Sequence, residues 1–205
     1  MAAVYILVAI GAYLIGSISF SVIFTKKLAG FDVRERGSKN AGSTNVLRTA
    51  GKKIAILTLI CDILKGVIPV VLAKFIGEWV GIEHAEYLVQ LAGLAVVLGH
   101  TFPIFFGFKG GKGVATSLGI ILVMNWQIGL ICLVFALILI ILTRMVSLGS
   151  VSAAILFPVL TLFITENYII DGDYKIFGIL LGVFVCWNHR TNIKRLLKGE
   201  ESKIF

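Results

Sequence analysis

Residues 107 to 113 read Gly-Phe-Lys-Gly-Gly-Lys-Gly, four glycines and two lysines set between hydrophobic runs. Glycines let the backbone curl until several N–H groups face one point, and Lys109 and Lys112 add positive charge. That combination suits a phosphate-sized anion, although a flexible basic turn has the same composition. The full segment, from Gly99, is G-H-T-F-P-I-F-F-G-F-K-G-G-K-G-V-A-T. A nucleotide-hydrolysing P-loop needs Ser or Thr directly after Gly-Lys and a strand before the loop. Here Gly113 follows Lys112 and an apolar helix precedes, so nucleotide hydrolysis is excluded. Instead, the next helix, starting near Val114 with Thr116 in its first turn, can aim its unpaired N–H groups and positive dipole end at the anion.

A second polar segment, Arg36-Gly37-Ser38-Lys39-Asn40-Ala41-Gly42-Ser43-Thr44-Asn45, is followed by Arg48. Its amide and hydroxyl side chains can bond phosphate or hydroxyl oxygens, and Arg48 can offer a planar fork to a phosphate. The purely structural alternative is a turn in which Ser43 and Thr44 cap a short helix through Val46 to Thr49. Two further motif-like stretches lie at Arg144 to Ser150 and at Asn188 to Asn192.

The elements that must position these loops are apolar. The chain has 205 residues, 58% hydrophobic and 15% charged, with a mean hydropathy of +0.99. An ordinary soluble domain carries about one quarter charged residues. Met1 to Thr25 hold no charge, which is enough to cross a bilayer, and lack the basic start of a signal peptide. They are expected to form the first transmembrane helix. Further apolar runs lie at about Ile54 to Ile76, Tyr87 to Phe106, Val114 to Met124, Ile128 to Thr143, Val146 to Ile164 and Tyr174 to Trp187.

Whether Val114 to Thr143 is one long helix or two short ones turning at Asn125-Trp126-Gln127 is decided by charge. With two, sixteen of the 19 basic residues fall on the cytoplasmic side: eight from Lys26 to Lys53, then Lys109, Lys112 and Arg144, and five from Arg190 to Lys203. Glu78, Glu83, Glu86, Glu166, Asp171 and Asp173 fall outside. This obeys the positive-inside rule at every loop, and the single-helix version does not. The expected fold is therefore an all-α integral membrane protein, one polytopic domain over residues 1–205 with seven transmembrane helices, N-terminus outside and C-terminus cytoplasmic. All four motif-like segments then share the cytoplasmic face, with most of the net charge of +8. Such a face draws in anions and favours an anionic leaflet.

Asp62 and Lys65, about one helical turn apart within the second run, are expected to pair internally and fix helix packing, since unpaired charges at that depth are costly. A proton or ion path is the functional alternative. His100, three residues before Pro103, has two readings: it satisfies carbonyls freed by the proline, or it belongs to the site. Cys61, Cys132 and Cys186 lie in apolar runs without C-x-x-C spacing and read as buried packing thiols.

Taken in order, G-S-K-N-A-G-S-T-N-V-L-R, Asp62-x-x-Lys65-Gly66, the glycine segment, R-M-V-S-L-G-S and H-R-T-N-I-K-R-L resemble the bacterial acyl-phosphate:glycerol-3-phosphate acyltransferase family, the PlsY type. The resemblance spans essentially the whole chain. It implies transfer of a fatty acyl group from acyl phosphate to the 1-hydroxyl of glycerol 3-phosphate, at the cytoplasmic face of the bacterial inner membrane. It implies no metal or dissociable cofactor and no nucleic-acid partner; the partners are glycerol 3-phosphate, fatty acyl phosphate and membrane lipid. Other glycerolipid acyltransferases place an acid five residues after a catalytic histidine, but Val89, Phe105 and Lys194 stand there after His84, His100 and His189. There is no nucleophile elbow either. The implied scheme is substrate-assisted, the phosphate of the donor accepting the hydroxyl proton. Within it, Ser38, Arg48, Lys112, His189 and Asn192 are the candidate catalytic contacts. Asn40, Asn45, Ser150, His100, Thr116 and the Gly110, Gly111 and Gly113 amides are the candidate substrate-binding groups. Phe102, Phe105, Phe106 and Phe108 are candidates for an acyl-chain groove. The rival class, a transporter of phosphate esters or other anions, would want polar groups at the midplane and on the outer side, often in inverted repeats; no convincing repeat is present, and the outer loops are acidic.

Overall fold

The computed structural model describes residues 1–164 and 173–204, and among these all regular structure is helical. Glu166 and Asp171, two of the acids expected outside, lie beyond the described residues. The helices are α1 (Ala2–Gly16), α2 (Phe20–Ala29), α3 (Ser43–Ala50), α4 (Lys52–Val80), α5 (Ala85–Thr101), α6 (Val114–Met124), α7 (Trp126–Thr143), α8 (Val146–Phe163), α9 (Lys175–Asn188) and α10 (Arg190–Leu197). Five segments are long and apolar enough to cross a membrane: Ala2–Ala29, Lys52–Val80, Ala85–Phe106, Trp126–Thr143 and Val146–Phe163. Two apolar helices, α6 and α9, are shorter. The chain forms two compact units, Met1–Ile120 and Ile121–Phe205, and the boundary falls inside α6.

In the first unit, small residues let helix backbones touch. Gly16 of α1 lies against the backbone of Val96 in α5, and Gly99 of α5 lies against Tyr13 and Ser17 in return. The same reciprocity joins α4 to α6, with Gly66 against Thr116 and Gly119 against Ile63. In an apolar solvent, where hydrophobic burial drives little, such close contact supplies the association. A small apolar core of Val22, Val33, Ala41, Val46 and Ala55, with Phe106 packed on it, supports the first polar loop from beneath.

The first apolar run is broken rather than continuous. Helix α1 stops at Gly16 and α2 begins at Phe20. Both the backbone N–H and the hydroxyl of Ser17 donate to Tyr13 O, at 2.8 and 2.9 Å. The Ile18 carbonyl, left without a helical partner, accepts from Lys65 Nζ at 2.8 Å.

In the second unit, α7 packs on α8, with Gly149 against Ala136 and Ile140. Gly182 brings α9 against Ala154 and Pro158 of α8, and Phe157 meets Phe177 edge-on with centroids 6.4 Å apart. Asn125 ends one helix and caps the next, its side chain accepting from Ile128 N at 3.0 Å. Gly129 of α7 then lies against Leu122 of α6. The turn expected at Asn125 is therefore present. Leu130, Ile131, Leu137, Ile138, Ile141 and Leu142 leave α7 with a broad exposed apolar surface, the surface a lipid-facing helix presents.

Candidate functional site

The glycine loop is built on the end of α5. Past Thr101 the chain cannot continue as a helix into Pro103, so the last carbonyls of α5 need other donors. They receive them from the loop itself: Gly110 N donates to Thr101 O and Gly111 N to His100 O, each at 3.1 Å. This corrects two expectations. The Gly110 and Gly111 amides do not open toward a ligand, because they are turned inward to finish α5. The carbonyls freed near the proline are satisfied by those amides, so the His100 imidazole is not needed for that purpose. Side chains at either glycine would collide with the His100 backbone or ring, which is the packing reason for glycine there. Gly113, at φ +88°, leads directly into α6.

His100 is buried elsewhere: its Nδ1 lies 3.7 Å from Asp62 Oδ1, and its ring edge lies against Gly111. Asp62 and Lys65 form the internal pair that their spacing predicts, at 3.0 Å and almost wholly buried. Sequence reasoning missed the histidine as a third member, because no spacing rule links positions on different helices. Thr116 and Ser117, in the first turn of α6, are both buried, and neither hydroxyl has a hydrogen-bond partner among the described residues. Ser117 carried no signal beyond its position one residue after Thr116.

The first polar loop is organised by Asn45. Its Nδ2 donates to Val33 O, Arg36 O and Asn40 O, each at 3.0 Å, and its Oδ1 accepts from Ser38 N at 2.9 Å. The side chain expected to bind substrate is thus buried and committed to the loop's shape. The helix start also differs from expectation: α3 begins at Ser43 with Gly42 as its N-cap, so Ser43 and Thr44 lie inside the first turn and do not cap it. Ser38 and Arg48 are exposed, while Asn40 and Lys112 are half-buried.

The two loops are stitched together. Ala41 N donates to Gly110 O at 3.3 Å, and Asn40 Nδ2 reaches the same oxygen at 3.4 Å. Ser21 of α2 holds Ala41 O at 2.9 Å. Each loop also contains a non-glycine residue in the left-handed region, Lys39 and Phe108, both at φ 59°. Such strain persists only where surrounding contacts over-determine the backbone, and it concentrates at functional sites. Asp32 is unavailable as a base: hydrogen bonds from Arg34, which outweigh its burial, hold its carboxyl well below the usual carboxylate range.

The second unit has its own candidates. Ser150 is buried and its hydroxyl donates to Val146 O at 2.9 Å. His189 Nδ1 donates to Val185 O at 2.8 Å, so the neutral ring carries its acceptor lone pair on Nε2. Asn192 Nδ2 donates to Glu201 Oε1 at 2.9 Å, and Arg195 Nε donates to Oε2 at 2.8 Å. Sequence reading passed over Glu201 as a tail residue outside any motif. It reaches Asn192 because Gly199, at φ 72°, turns the chain back, and Ile204 N then bonds Arg144 O at 2.9 Å.

Burial raises the Glu201 pKa, but hydrogen bonds from Arg195 and Asn192 outweigh it and hold the group below an ordinary glutamate. A depressed folded pKa gives stability that is present above the unfolded value, about 4.3, and lost as pH falls through the folded one. Glu201→Gln is therefore expected to cost about 2 kcal/mol at neutral pH, with the gap to wild type closing below about pH 4. Thermal unfolding in detergent at pH 7 and pH 3.5 checks this.

Comparison with known proteins gives the class as a membrane acyltransferase. The glycerol-3-phosphate acyltransferase profile matches residues 6–199. The glycerol-3-phosphate acyltransferase of Clostridioides difficile strain 630 is 46% identical over 202 residues, 98% of this chain and 95% of that one. The enzyme of the same name from Thioalkalivibrio sulfidiphilus is 44% identical, over 95% and 91% of the two chains. A crystal structure of PlsY, described as an integral membrane glycerol 3-phosphate acyltransferase in its glycerol 3-phosphate form, superposes with a TM-score of 0.84 at 40% identity, covering 97% of this chain and 94% of that one. Its lysophosphatidic acid form gives 0.83 at 39%. The chain belongs to the glycerol-3-phosphate acyltransferase family, and it is an integral membrane protein.

Proposed function

We propose that this protein moves a fatty acyl group from acyl phosphate to the 1-hydroxyl of glycerol 3-phosphate, releasing lysophosphatidic acid and phosphate. The hydroxyl oxygen bonds to the acyl carbonyl carbon, the bond from that carbon to the phosphate oxygen breaks, and the hydroxyl proton passes to a departing phosphate oxygen. The observation that carries the reading is the stitched pair of loops. Among their described residues, basic, amide and hydroxyl groups abound, and the carboxylates are Asp32, bound to Arg34 and Lys26, and the exposed Glu35. Such a site holds two anionic reactants and supports developing charge, and the donor supplies the base. Lys112 and Arg48 are assigned to phosphate charge, Ser38 and Asn40 to phosphate or glycerol oxygens, and the start of α6 with Gly113 and Thr116 to a second anionic edge. Phe102, Phe105 and Phe108 are exposed beside the loop and suit an acyl chain. In this reading α6 and α9 also cross the bilayer, giving seven spans with the loops on the cytoplasmic side of a bacterial inner membrane.

The test is to incubate purified protein with acyl phosphate and labelled glycerol 3-phosphate in detergent. Labelled lysophosphatidic acid is expected without any sealed compartment. No product, together with uptake of intact substrate into vesicles, would instead establish a transporter.

A further inference from the structure

Arg34 is not among the residues given a substrate role, yet it touches both loops. Its guanidinium grips Asp32 with two arms, Nε to Oδ1 at 3.0 Å and Nη2 to Oδ2 at 2.8 Å. The third, Nη1, donates to Phe106 O at 2.6 Å. Asp32 is itself fixed, accepting from Arg34 N at 3.0 Å and pairing with Lys26 Nζ at 3.3 Å. Phe106 closes the short turn before Gly107, and the next two residues, Gly107 and Phe108, are both left-handed, at φ 65° and 59°. The guanidinium therefore reaches the point where the glycine loop departs. Four residues further on, Asn40 and Ala41 hold Gly110 O. The first half of the loop is thus gripped on either side by one segment, with Gly107, Phe108 and Lys109 between the grips. Only a planar fork can bind a carboxylate with two arms and keep a third donor for a carbonyl; an ammonium is a point charge.

We propose that Arg34 is a positioning residue for acyl transfer, an Asp32-oriented clamp that fixes the start of the glycine loop against the first polar loop. The inference rests on the reading above that the two loops hold the reactants. Loosening the clamp leaves the binding groups in place but lets the loops drift. The loss is then in orientation, which falls on kcat more than on KM, because small misplacements of bound reactants are costly in rate.

The test uses full-length Arg34→Gln, Arg34→Lys and Asp32→Asn in detergent. Hydrogen exchange is read first, since it needs no substrate: the Gly110 and Gly111 amides are expected to exchange at least about tenfold faster in Arg34→Gln, with α1 and the body of α5 unchanged. Acyl transfer is expected to lose about tenfold in kcat with KM within about threefold. Arg34→Lys should resemble Arg34→Gln, and Asp32→Asn should fall between them and wild type. Unaltered exchange at Gly110 and Gly111 overturns the clamp, as does faster exchange with wild-type kcat. If Arg34→Gln does not fold, Asp32→Asn decides by the same two readings. A wild-type protein inactive with acyl phosphate overturns the donor assignment alone, because the exchange comparison stands without it.

Discussion

Lys112→Ala is expected to lower acyl transfer at subsaturating substrate by about 10²- to 10³-fold, the usual cost of removing one preorganised donor from developing negative charge. The argument starts from the loop's own accounting. Gly110 and Gly111 have spent their N–H groups on α5, so the loop has fewer amides to give an anion than its glycines suggest. In the proposed function the charge of Lys112, at the last position before Gly113 and α6, makes up the difference. Lys112→Arg keeps the charge with a different donor geometry and is expected to retain part of the rate. Initial rates across both substrate concentrations measure the effect, and wild-type rates for Lys112→Ala would remove the lysine from the central role given to it.

The second large effect concerns stability. Lys65→Met leaves Asp62 buried in the helix bundle without its cation, and breaking a buried pair by removing one partner typically costs about 3 to 5 kcal/mol. The damage reaches further here than the pair, because Lys65 also serves the Ile18 carbonyl where α1 gives way to α2. The expected result is a sharp fall in folded yield and in the thermal midpoint in detergent. Converting both positions, Asp62→Asn with Lys65→Met, should recover much of the loss, since no unpaired charge remains. Equal instability of the single and double variants would show that the Ile18 contact, not the charge balance, is what matters.

What the sequence made legible follows from periodicity and charge. The apolar runs, the turn at Asn125 and the pairing of Asp62 with Lys65 all rest on local spacing, and each is present. What spacing could not show depends on contacts between distant segments. No residue from Ser17 to Ser19 is a strong helix breaker; the interruption exists because Gly16 packs on Val96 and because Lys65 supplies a donor to the carbonyl left behind. Asn45 looked like a ligand because amides suit phosphate oxygens, but the same amide suits three loop carbonyls. Glu201 had no motif around it and is held only through the turn at Gly199. Arg34 could be read as one more positive-inside charge until its reach to Phe106 was visible.

The inward-turned glycine amides also bear on selectivity. A rigid nest of backbone N–H groups measures its guest, accepting one anion geometry and rejecting others. Recognition by lysine and arginine heads on long stems is more elastic: it follows charge more than outline. Under the proposed function, a site of this kind would suit two differently shaped phosphates in one catalytic cycle, and its affinity is expected to weaken steeply as ionic strength rises.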